Sequence, residues 1–133
     1  MNRADLARGA LLIVALGVIF GLAAVQSLRY LHDFITYPTS PAVMYLVAAG
    51  CGAVAGWAVP TLRAVLILPP LVVLIGALVF FLVAYSPVWL GSSRHDIAVV
   101  NELLRQMLLI MLLGGVACYF GAIAGLVAAE ARQ

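Results

Sequence analysis

Four apolar stretches, at about 9–27, 42–59, 65–90 and 106–127, carry no Asp, Glu, Lys, Arg or His, in a chain of 133 residues. A bilayer's hydrocarbon core is about 30 Å thick and takes roughly 20 apolar residues at the helical rise, a length each stretch supplies or nearly supplies. The chain is therefore expected to be an all-α integral membrane protein with four transmembrane helices. No linker or low-complexity segment divides it, so residues 1–133 are expected to form a single transmembrane domain, an antiparallel up-down bundle. Little chain is left over for a soluble domain.

Composition narrows the partners. Hydrophobic residues make up 66% of the chain and charged residues 9%, against about a quarter charged in an ordinary soluble domain. The net charge of +2 comes without any Lys/Arg run, which argues against nucleic acid. The expected surroundings are the lipid bilayer and other membrane subunits or further copies of the chain.

Orientation follows the arginines, because short cytoplasmic loops are enriched in positive charge. Arg3, Arg8, Arg63 and Arg132 fall on one side and Arg29, Arg94 and Arg105 on the other. Two of the first group flank the first span, so both termini are expected in the cytoplasm, with the protein in the cell membrane. The charged start ahead of an apolar run also fits a signal peptide; we read 9–27 as a true span.

The connections differ in length. Residues 60–63 form a tight link that predicts spans two and three as antiparallel neighbours. The two longer connections lie together on the opposite face. In the second, Ser93-Arg94-His95-Asp96 fits a capping box, so a helix should begin near Asp96 and run about 50 Å, projecting beyond lipid with Glu102 and Arg105 on the projection. In the first, Tyr37-Pro38-Thr39-Ser40-Pro41 should be a turn, with Pro41 opening span two. Pro69-Pro70 interrupts the third stretch; the preferred expectation is that the transmembrane helix begins there, with proline in its first turn.

Gly52-Ala53-Val54-Ala55-Gly56 resembles Gly121-Ala122-Ile123-Ala124-Gly125, and His32-Asp33 resembles His95-Asp96, in the same order. This suggests a weak two-fold tandem repeat of helix pairs, related by an axis along the membrane normal. The same segments carry small residues at four-residue spacing: Ala48, Gly52 and Gly56; Ala117, Gly121 and Gly125; and Gly17 and Gly21 in span one. Such faces let backbones approach closely, so spans one, two and four should pack through them. Span three is bulky and should show lipid or a partner much of its surface, with Val73 and Leu74 tolerant of change.

A polar set, Arg29, His32, Asp33, Arg94, His95, Asp96 and Glu102, should lie on the outer face. Two His and two carboxylates are metal-ligand types, but adjacent residues point about 100° apart on a helix and no ligand spacing is present. Capping and interfacial solvation are the simpler reading, and no metal or cofactor is expected. Cys51 and Cys118, near the middle of their spans, read as small buried side chains. Tyr30, Tyr37, Tyr45, Tyr85 and Trp89 towards one boundary, and Trp57 towards the other, read as an aromatic belt.

Proton relays and voltage sensors need ionisable groups within the bilayer, and no span holds one. The functional expectation is a non-enzymatic accessory or structural subunit acting through helix packing, in a larger membrane assembly or a homo-oligomer. The alternative is a small oligomeric channel or carrier for a neutral or hydrophobic solute.

Overall fold

The computed structural model describes residues 3–25, 41–91 and 97–132. These residues form four helices: α1 (Arg3–Val25), α2 (Pro41–Ala58), α3 (Leu62–Trp89) and α4 (Ile97–Glu130). Three of them, over Arg8–Val25, Leu62–Trp89 and Val100–Glu130, are long and apolar enough to cross a membrane, and the apolar run of α2, Ala42–Ala58, is shorter. Three of the four expected spans thus reach crossing length among the described residues. Proline sets the limit on α2: Pro41 occupies its first position, and Pro60 drives Val59 out of helical geometry.

α3 departs from expectation at its start. The helix does not begin at Pro70; it begins at Leu62 and runs through Pro69, Pro70 and Pro87. Thr61 starts it, with extended backbone and a side-chain oxygen that accepts from the Ala64 amide at 3.2 Å. Each internal proline withholds the amide that would bond the carbonyl four residues earlier. For Pro70 and Pro87 those carbonyls belong to Leu66 and Val83, and hydroxyls fill both places. Tyr119 donates to the Leu66 oxygen at 3.0 Å, and Ser86 donates to the Val83 oxygen at 2.7 Å. α3 ends where the Leu90 amide bonds the Ser86 carbonyl and Gly91 takes φ +71°, a conformation glycine adopts without steric cost.

The helices choose partners that are not consecutive in the chain. The most extensive contacts join α2 to α4 and α1 to α3; α3 also packs along α4, and α1–α2 and α2–α3 touch less. The short link after Ala58 therefore does not make α2 and α3 close neighbours, because the small-residue face of α2 is occupied by α4. Both dominant pairs run parallel. Gly17 lies against Val72 and Ile75 while Gly21 lies against Gly76 and Val79, and Gly52 lies against Cys118 while Gly56 lies against Ala122.

One aromatic ring ties three helices together. Phe20 of α1 is fully buried, and Gly76 of α3 and Gly114 of α4 both lie against its ring, where a Cβ on either glycine would collide with it. α3 is accordingly more deeply embedded than its bulky sequence suggests. Val72, Val73, Gly76, Ala77 and Phe80 face inward, while Leu74 is exposed. The expectation that Val73 tolerates change is corrected; Leu74 faces outward.

Candidate functional site

At the seam between α2 and α4, glycines of each helix lie directly against the backbone of the other. The hydrogen standing where Gly52 would carry a Cβ points at the Cys118 carbonyl, three residues before Gly121. Gly121 in turn points at the Ala49 carbonyl, three residues before Gly52. One turn on, Gly56 meets the Ala122 carbonyl and Gly125 meets the Ala53 carbonyl. The two similar sequence motifs thus face each other, and their contacts are reciprocal. A Cβ at any of the four glycines would overlap backbone, which cannot move aside as a side chain can. In lipid, where no hydrophobic drive joins helices, dispersion and Cα–H···O contacts of this kind hold the pair together.

The remaining small residues fall around this seam. Ala48 is buried and Ala117 is partly buried against the core. Gly17 and Gly21 pack instead on α3, against Ile75, Val79 and the carbonyls of Val72 and Gly76. Gly50 and Gly115, neighbours in sequence of seam and socket glycines, have open space where a Cβ would stand.

Of the outer polar set, Glu102 alone lies among the described residues; Arg29, His32, Asp33, Arg94, His95 and Asp96 lie outside them, as do Tyr30 and Tyr37. Glu102 accepts from the Gln106 amide at 3.1 Å and pairs with Arg105 at 3.7 Å, one turn along α4. Arg105 is well exposed, so this is a helix-surface pair of small energetic weight. Among the described residues no group of three His, Cys, Asp or Glu side chains gathers as metal ligands would. Cys51 and Cys118 are buried free thiols, and the Cys51 thiol points at the Leu16 carbonyl of α1 at 3.6 Å.

The two ends of the bundle are marked by aromatic residues. Tyr85 stacks on Phe81 at 5.6 Å and meets Trp89 edge-on at 5.8 Å, forming a ladder up the last turns of α3. At the other end the Arg132 guanidinium sits 5.9 Å from the centre of the Trp57 ring.

Sequence reasoning missed Tyr119 and Ser86, the two hydroxyls that serve the Leu66 and Val83 carbonyls of α3. Their signal was present: a serine directly before Pro87, and a tyrosine well inside an apolar stretch. No family model, curated protein or solved structure matches the chain significantly.

Proposed function

We propose that the chain is a small multi-pass membrane protein without catalytic chemistry of its own, acting as an accessory or structural subunit of a larger membrane assembly or of a homo-oligomer. The observation that carries this reading is the character of the interior. Among the described residues no charged or polar side chain is buried, and the core is sealed by glycine-to-backbone contact. Chemistry and recognition are left to the surface. That surface is apolar over long rows, such as Leu104, Leu108, Leu112, Phe120, Ile123 and Val127 on α4, which suits lipid and other transmembrane helices equally.

The finer architecture we propose is an up-down bundle derived from a repeated helix pair. Parallel α1/α3 and α2/α4 registers support alternating direction, as does the Tyr119–Leu66 bond, which sets the second half of α4 beside the start of α3. The reciprocal seam between the two similar glycine motifs supports the repeat. Both termini are assigned to the cytoplasm, in the cell membrane. Arg8, Arg63 and Arg132 lie at one end of the bundle, whereas Arg105 at the other is paired with Glu102.

The test is the mass of particles excised from the membrane with their lipid. An integral number of copies, or a fixed stoichiometry with another membrane protein, is the expected result. A solitary chain per particle, with solute flux in liposomes, would replace this reading with the carrier.

A further inference from the structure

We propose that the end of the bundle carrying Trp57, Arg63 and Arg132 is a binding site for the headgroup of an anionic phospholipid. The inference rests on the membrane reading above, which places this end at the bilayer surface.

The helix registers put the basic groups at one end of the bundle. Gly17 stands opposite Val72 and Ile75, so Arg8, about two and a half turns before it, is level with the first turns of α3, where Arg63 sits. α2 and α4 run parallel and finish at this same end, where Arg132 reaches the Trp57 ring at 5.9 Å. Arg8, Arg63 and Arg132 are all exposed, and none makes an ion pair with another described residue. Asp5 on α1 and Glu130 on α4 are the described carboxylates at this end, against Arg3, Arg8, Arg63 and Arg132.

The chemistry fits a phosphodiester. A guanidinium offers a planar fork of donors that matches phosphate oxygens. Arg132 lies over the indole, which holds its charge near the ring and leaves its N–H edge free. Trp57 is 54% exposed, and an indole with one apolar body and one N–H donor settles at headgroup depth. A zwitterionic headgroup brings its own ammonium to the same place and cancels the attraction, so the site should select lipids with net negative charge.

Fluorescence quenching reads this directly, because the chain has only two tryptophans, one at each end. The full chain carrying Trp89→Phe reports from Trp57, and the chain carrying Trp57→Phe reports from Trp89. Each is reconstituted in mixed vesicles containing brominated phosphatidylglycerol or brominated phosphatidylcholine. Trp57 should favour the anionic lipid by about fivefold for each arginine engaged, and Arg63→Gln with Arg132→Gln should bring the ratio close to one. Trp89 should show no such preference. Equal quenching of Trp57 by both lipids overturns the site and leaves the membrane reading standing. Absence of quenching at both tryptophans by either lipid overturns the membrane reading itself.

Discussion

The Tyr119 hydroxyl donates at 3.0 Å to the Leu66 carbonyl, the acceptor that Pro70 leaves without its helical partner. A residue of α4 thereby serves the backbone of α3. In an apolar surround an unmet carbonyl costs more than it does in water, and membrane helices tolerate proline where a neighbouring side chain supplies the missing donor. Ser86 performs the same service for Val83 within its own helix.

This arrangement predicts a dependence of Tyr119 on Pro70. Tyr119→Phe should lower stability by about 0.5–2 kcal/mol. In a Pro70→Ala background the restored amide serves Leu66, so the same change should cost almost nothing. Unfolding curves for the four proteins of this double-mutant cycle measure the coupling, and additive losses would remove the assignment.

Glycines of the seam should be intolerant, and their neighbours should not. Gly52→Leu or Gly121→Leu forces α2 and α4 apart, at a cost of about 1–3 kcal/mol or more from overpacking. Gly50→Leu and Gly115→Leu meet open space and should leave assembly unchanged, as should conservative changes at exposed Leu74. Native electrophoresis and thermal stability compare the two sets; equal tolerance would end the packing argument.

Phe20 is the pin between α3 and α4. Phe20→Ala should cost about 3–5 kcal/mol through lost burial and a residual cavity. Gly114→Ala should be damaging in the native chain, where it meets the ring, yet harmless once Phe20 is alanine. Thermal denaturation of the single and double variants reads this, and independent effects would place the ring elsewhere.

Coupled ion transport should be absent. Pro69, Pro70 and Pro87 withhold an amide from the carbonyls of Val65, Leu66 and Val83, the backbone groups best suited to an ion, and those of Leu66 and Val83 already accept from hydroxyls. Liposomes holding the chain under an imposed pH or sodium gradient should show no protein-dependent flux. Flux abolished by Pro69→Ala with Pro70→Ala would instead promote the carrier.

What the sequence determined by itself is local. Uncharged stretches long enough for lipid set the helical class, Pro41 and Pro60 bound α2, and small residues at four-residue spacing marked faces suited to close approach. Partner choice lay beyond it. Where lipid and interior are both apolar, the outward and inward sides of a helix differ little in hydropathy, so Val73 and Leu74 read alike although one is buried and the other exposed. The pairing of the two glycine motifs, the socket for Phe20 and the passage of α3 through Pro69-Pro70 depend on shape and on hydrogen-bond partners more than thirty residues away in the chain. Only the folded backbone brings Tyr119 to Leu66, and that contact serves the helix that the proline pair alone would be expected to end.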